Sequence, residues 1–190
     1  MTGVPVSEDH HSLRSLPHDG PAAHVFAVTA GALVQRREEL IAVAAQAFGA
    51  APWYERPVEA VRVVDRMARS LGRRDFAAVA ALDGPHLTGF AYGYTDTACA
   101  ALDPMAAEGY DAFEVVELAV ATAYQGRGIG HALHDALLAG TTAPRLLLTH
   151  PAAPARLRYQ AWGWTERGYV VSPVSGQQLV LMRHDQFAAG

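Results

Sequence analysis

Three glycines alternate through Gln125-Gly126-Arg127-Gly128-Ile129-Gly130-His131. The segment joins an apolar run, Ala112 to Ala121, to residues with helical spacing: Ile129, Ala132, Leu133, Ala136 and Leu137. Glycine lets a backbone turn tightly and come close to a ligand. A helix that starts directly after such a turn presents free N–H groups and the positive end of its dipole. The pattern predicts a seat for a phosphate or pyrophosphate, because a plain strand-to-helix turn does not need three alternating glycines.

Details of the loop separate the ligands that glycine loops hold. The dinucleotide fingerprint G-x-G-x-x-G fails, because counting from Gly126 its last glycine is His131. The nucleotide P-loop fails because the chain has no lysine; all 15 basic residues are arginine. The same absence removes Schiff-base chemistry. A methyltransferase-type G-x-G-x-G matches by letter and stands as the alternative for S-adenosylmethionine. Tyr124 occupies the position where that motif usually has an acid, and too little chain follows for that fold's later strands.

Other residues could act beside the loop. Glu114 and Glu117 are the only acids in the apolar run from Ala112 to Ala121. Burial of an unpaired carboxylate raises its pKa toward the range useful to a general base. His150 ends an apolar run and could reach a cleft. Cys99 is the lone cysteine and reads as a small packing residue. A single cysteine forms no intrachain disulfide, so a reducing compartment, the cytoplasm, is expected. His10, His11 and His18 lie in a stretch without cysteine partners and do not read as a metal site.

The elements that must position these residues follow from periodicity. Residues 1–22 read as a flexible tail and 23–190 as one domain. A composition of 51% hydrophobic and 18% charged residues suits a packed core and excludes a disordered chain. The net charge of −4 argues against nucleic acid or an anionic membrane as partner. No apolar run is long enough to span a bilayer, and no secretory leader is visible. His24 to Thr29 predicts a strand, and Leu33–Phe48 and Pro57–Leu71 predict two helices. Phe76–Leu82 and Leu87–Tyr94 predict a hairpin across Asp83-Gly84-Pro85-His86. Thr95–Asp111 reads as a long loop. Ala112–Ala121 and Arg145–Thr149 read as buried strands, and Pro154–Trp162 as a short helix closed by Gly163. Tyr169–Val171 and Gln178–Met182 predict the last strands. The order is β-α-α-β-β-β-α-β-α-β-β, an α+β layer over a mixed sheet.

With these residues in place, the sequence resembles the GNAT acetyltransferase superfamily. That family's Gln/Arg-x-x-Gly-x-Gly/Ala follows a strand ending in Leu-x-Val. Here Leu118-Ala119-Val120 precedes Gln125, Gly128 and Gly130. A second signature, Ala-x-x-x-Tyr-x-x-x-Gly-aromatic, is matched by Ala155, Tyr159, Gly163 and Trp164. The resemblance covers roughly Phe76 to Leu181. It implies a mostly antiparallel sheet with one splayed parallel strand pair, flanked by helices. It implies acetyl-CoA as donor, bound by Leu118, Val120, the loop from Gln125 to Gly130 with His131 and Ala132, and Ala155. Among the loop residues, Gly126, Arg127 and Ile129 are included. It implies direct transfer to a primary amine of a small molecule or peptide, with Glu117 or Glu114 as base and Tyr159 assisting the leaving thiolate. Trp53, Tyr54 and Glu55 fall where the family places its acceptor, and a homodimer is within the family's habits. One departure is Ala152, where the family often has asparagine; the chain contains none. A non-catalytic acyl-CoA sensor is the other function class left open.

Overall fold

The computed structural model describes residues 23–104, 110–172 and 176–185. The tail expected at 1–22 lies outside the described residues. Seven strands form one sheet: β1 (His24–Ala27), β2 (Ala77–Asp83), β3 (His86–Asp96), β4 (Ala112–Val120), β5 (Arg145–Thr149), β6 (Thr165–Val171) and β7 (Gln178–His184). Their spatial order is β1-β2-β3-β4-β5-β7-β6. Only β4 and β5 run parallel; the other neighbours are antiparallel. A sheet with one parallel pair is not the parallel sheet that the methyltransferase alternative requires.

Helices α1 (Ala30–Gln35), α2 (Arg37–Phe48) and α3 (Pro57–Ser70) cover one face. In α3, Ala60, Val63, Val64 and Met67 are buried at three- and four-residue spacing, which makes one apolar stripe. Pro57 opens this helix where a missing N–H costs nothing. The stripe packs with Leu40, Val43 and Ala44 of α2 against Phe90 and Tyr92 of β3. Helix α5 (Ile129–Leu138) covers the other face, burying Leu133 and Leu137 against Phe113, Val115, Leu147 and Met182. Helix α6 (Pro154–Ala161) flanks it.

Three expectations need correction. The single helix expected over Leu33–Phe48 is broken at Arg36, whose φ of −102° and ψ of 23° leave the helical region. Its guanidinium is drawn instead to Glu39 and to the carbonyl of Pro85, each at 3.0 Å. The loop expected over Thr95–Asp111 does not begin at Thr95, because β3 runs on to Asp96 and a turn of helix, α4 (Thr97–Ala100), follows; its residues 105–109 lie outside the described residues. Asp96 caps that turn by accepting from the Ala98 N–H at 2.6 Å. The strand expected at Tyr169–Val171 starts earlier, at Thr165, because polar edge residues hide its period.

Two irregularities of β4 position the site. Its pairing with β5 covers Phe113↔Arg145 to Val115↔Leu147 and then stops, so the parallel strands splay. Its pairing with β3 steps from Gly93↔Val115 to Tyr92↔Glu117, which leaves Val116 as an extra, unopposed residue. This bulge resets the in–out alternation. Val115 packs on the α5 side, Val116 on the α2–α3 side, and Leu118 again on the α5 side. Glu114 and Glu117, three residues apart, therefore share the face toward α3. Gly93 is required opposite the bulge, since a Cβ there would lie 2.3 Å from the Glu114 carbonyl oxygen.

Candidate active site

A cleft of about 470 Å³ lies where β4 and β5 splay. Its walls are the end of β4, the start of α5, one face of α6 and the connection between α2 and α3. After Ala121 a short 3-10 turn (Thr122–Tyr124) leads into the glycine loop. Gly126 and Gly128 have φ of 76° and 81°, left-handed values that favour glycine. Gly128 is the residue that starts α5. Ile129, 7% exposed, anchors the first turn in the core. The backbone N–H groups of residues 126 to 131 donate to no protein acceptor among the described residues. They are left at the positive end of a ten-residue helix, and nothing stands within 4 Å of the position a Cβ would take on Gly126. That is the chemistry of an anion cradle.

The residues expected to hold the donor divide into two groups. Leu118, Val120, Gln125, Gly126, Gly128, Gly130, His131 and Ala155 all line the cleft. Gln125 is fixed by its side-chain amide, which donates to the Val120 carbonyl at 3.0 Å. His131 lies flat on Trp162, ring centres 4.7 Å apart. The other group does not line it. Arg127 lies over the ring of Tyr124 at 5.2 Å, Ile129 is in the core, and Ala132 is exposed elsewhere on α5. Ala121 donates its N–H toward β3, to Thr88. By strand alternation Val120 and Leu118 turn their amides to the edge that β5 leaves unpaired.

Tyr159 faces this edge from α6. It is buried, stands edge-on to Trp162 with ring centres 5.5 Å apart, and lines the cleft. Its hydroxyl has no protein partner among the described residues. Burial, and then the nearby charge of Glu117, push the phenol above its ordinary value. Glu117 accepts a hydrogen bond from Nη2 of Arg66 on α3. Burial raises the Glu117 carboxyl, and Arg66 only partly opposes this. Glu114 is pushed up to about 7 by burial and then by the charge of Asp96.

The sign of the Glu114 shift gives a testable result. A carboxyl raised in the folded state contributes stability below its ordinary value near 4.5, and that contribution is lost as pH climbs through about 7. Glu114→Gln, always neutral, should therefore exceed wild type in stability at pH 8 by on the order of 1–3 kcal/mol. The difference should shrink toward zero by pH 5, as read by urea unfolding at the two values. An equal difference at both would exclude titration of Glu114 as its source.

Trp53 lines the cleft and packs edge-on against Phe48 and His150. His150 Nδ1 accepts from the Ala152 N–H at 3.0 Å, bracing the turn where the family's asparagine is missing. Cys99 is buried, and burial pushes its thiol up, away from nucleophile behaviour. His131, His134 and Asp135 approach one another closely enough to resemble metal ligands. His134 Nε2, however, accepts from the Trp164 indole at 2.8 Å, so the neutral ring carries its proton on Nδ1, toward Asp135. That tautomer has no lone pair left for a cation. Arg66 escaped the sequence reading. Its only signal was an arginine on the same face of α3 as Val63, Met67 and Ser70.

No curated protein matches the chain by sequence. In structure, it is similar to a histone acetyltransferase HPA2-related acetyltransferase of Corynebacterium glutamicum, with TM-score 0.61 and 16% identity over 88% of this chain and 98% of that one. An aminoglycoside 6'-acetyltransferase type Ii gives TM-score 0.61 and 16% identity over 88% and 99%. The ribosomal-protein-S18-alanine N-acetyltransferase of Escherichia coli gives 0.57 and 15% over 88% and 96%. At these identities the likeness speaks for the fold. The family model for the acetyltransferase (GNAT) family matches residues 38–154, more than half of the sequence. No helix among the described residues is long and apolar enough to cross a membrane. The chain belongs to the GNAT acetyltransferase family.

Proposed function

We propose that the protein transfers an acetyl group from acetyl-CoA to a primary amine by direct attack. The observation that carries this reading is one cleft shared by Tyr159 and by Gly126, Gly128, Gly130 and His131, whose amides are unpaired among the described residues. The cradle fits a pyrophosphate: its donors are free, its helix dipole is positive, and its glycines leave room. When bound there, acetyl-CoA supplies an activated thioester. The amides of Leu118 and Val120, along the unpaired edge of β4, are placed to bind the negative charge that develops on the carbonyl oxygen. The amine must be neutral to attack, and Glu117, next to Leu118, is the carboxylate of β4 proposed to take its proton. Tyr159 gives a hydrogen bond to the departing sulfur. The neighbouring structures include an aminoglycoside and a ribosomal-protein acetyltransferase; such unlike acceptors limit the proposal here to a primary amine.

Acetyl-CoA at a hundred times its Kd should stabilise the fold by about 2.7 kcal/mol. S-adenosylmethionine and NAD should not, as seen in melting curves. A flat response to acetyl-CoA alongside a clear shift with S-adenosylmethionine would reverse the assignment of the cradle.

A further inference from the structure

The acceptor arrives as an ammonium ion and must lose a proton before its nitrogen can attack. Glu117 on β4 is not the only carboxylate near that point. Glu55, in the connection between α2 and α3, lies within range of the charges of Glu117 and of the same arginine. We propose that Glu55 and Glu117 act as one proton-accepting pair across Arg66, with Glu55 the member that meets the acceptor amine. This rests on the acetyltransferase reading above.

The hydrogen bonding around Arg66 is incomplete. Nη2 of Arg66 donates to Glu117. Its Nε is buried without a partner, and so is Oε2 of Glu55. The buried hydroxyl of Tyr92 lies beside the same guanidinium, which partly opposes the burial that raises its phenol. Tyr92 is 0% exposed and sits directly across the strand pair from Glu117. Buried polar groups are nearly always paired; Arg66 and the Tyr92 hydroxyl can serve each other, so the acceptor left over is Oε2 of Glu55, and it marks the place where a ligand's donor completes the set. An ammonium group supplies the donors that Glu55 lacks.

The chain aims Glu55 inward. Its N–H donates to the Phe48 carbonyl at 3.0 Å, which closes the turn after α2. Tyr54, with φ of 47°, reverses the chain just before it. Trp53, two residues before Glu55, lines the cleft, and Tyr54 is 73% exposed. The charged groups facing the pair come from several elements. Glu55 meets Glu117 and Glu59 as like charges and Arg66 as the opposite one. Glu117 also influences Glu114, Tyr92 and Tyr159. Burial, and then the charge of Glu117, push Glu55 up to about 7, where a base works best near neutral pH.

The step balances. One N–H bond of the ammonium breaks, and the proton joins a carboxylate oxygen of the pair. The freed lone pair forms the C–N bond, and the C–S bond breaks. A second N–H bond of the attacking nitrogen then breaks and its proton passes to solvent, while the departing sulfur gains a proton through the Tyr159 hydroxyl, which solvent replenishes. The pair then returns its proton to solvent.

The test uses the full chain as wild type, Glu55→Gln, Glu117→Gln, the double variant and Glu59→Gln. Activity is read with acetyl-CoA and the best substrate from a panel of polyamines and lysine- or alanine-terminated peptides. Wild-type kcat/KM should rise with pH through an apparent value near 7. Glu55→Gln should lower it about tenfold at pH 7 and flatten that rise. The double variant should be little worse than the poorer single variant, because the two act as a unit. Glu59→Gln, which removes a weaker like charge from Glu55, should keep the full rise and the plateau of kcat/KM and move the rise only slightly toward lower pH. Carbon-13 NMR of the free protein gives a reading independent of turnover: the Glu55 carboxyl should titrate lower in Glu117→Gln, having lost a like charge. A wild-type pH profile in Glu55→Gln, or an unmoved Glu55 titration in Glu117→Gln, overturns the pair and leaves the acetyltransferase reading standing. Absence of both acetyl-CoA binding and turnover in wild type overturns the two together.

Discussion

Replacing Tyr159 by phenylalanine should cut kcat about a hundredfold, and no less than tenfold, while acetyl-CoA affinity and melting temperature hold. The size follows from general acid assistance, typically worth ~10²–10⁴-fold. A free thiol has a pKa of about 8.5 and a phenol about 10. Burial and the charge of Glu117 move Tyr159 higher still, so the hydroxyl keeps its proton at working pH and meets the departing sulfur as a donor. The fold should not feel the change. The ring keeps its edge-on contacts with Trp162 and Trp164, and no protein acceptor loses a hydrogen bond. Steady-state kinetics with saturating acetyl-CoA, beside a melting curve, decide the matter. A kcat within about twofold of wild type would make Tyr159 a packing residue.

Gly128→Val should weaken acetyl-CoA binding about a hundredfold or more and also lower stability. At φ 81° and ψ −8° a β-branched side chain is strained, and left-handed backbone in a non-glycine residue costs about 1–3 kcal/mol. Relief of that strain would unwind the start of α5 and misplace its free amides. Losing two hydrogen bonds to a charged group, at about 1.5–3 kcal/mol each, accounts for the affinity loss. Gly130 differs from Gly128, although the sequence shows them as equivalent. A Cβ on Gly130 would meet Leu118, Trp162 and Val120 at 3.8 to 3.9 Å, ordinary contact distances. Gly130→Ala should therefore fold like wild type. Calorimetric titration with acetyl-CoA separates the cases, and normal binding by Gly128→Val would reduce the loop to a turn.

The parts of the site that were legible in the sequence are local. The glycine loop, the start of α5 and the Ala155–Tyr159 spacing each lie within one element and its flanking turn, where residue type constrains dihedral angles directly. Arg66 and Glu117 lie 51 residues apart, and nothing in either segment announces the other. The break at Arg36 was hidden for a similar reason: a long-range partner, the Pro85 carbonyl, competes with the helix. Thr95–Asp111 read as loop because the end of β3 owes its strand to neighbours, Phe113 and Ala112, rather than to its own pattern. The bulge at Val116 was invisible because an added apolar residue in an apolar run changes no periodicity that the run displays.

That bulge bears on how the two strand acids are to be compared between relatives. An extra residue in β4 keeps Glu114 and Glu117 on one face at a separation of three; a regular strand would place them there at a separation of two. Glu-x-x-Glu in a bulged chain and Glu-x-Glu in a regular one thus describe equivalent places above the sheet. An alignment that penalises the one-residue gap would pair Glu114 with a position on the opposite face and score the acid as lost. Placing the gap at Val116, next to the Gly93↔Val115 pair, restores the match, and Gly93, where a Cβ would meet the Glu114 carbonyl oxygen, is what this bulge demands of β3.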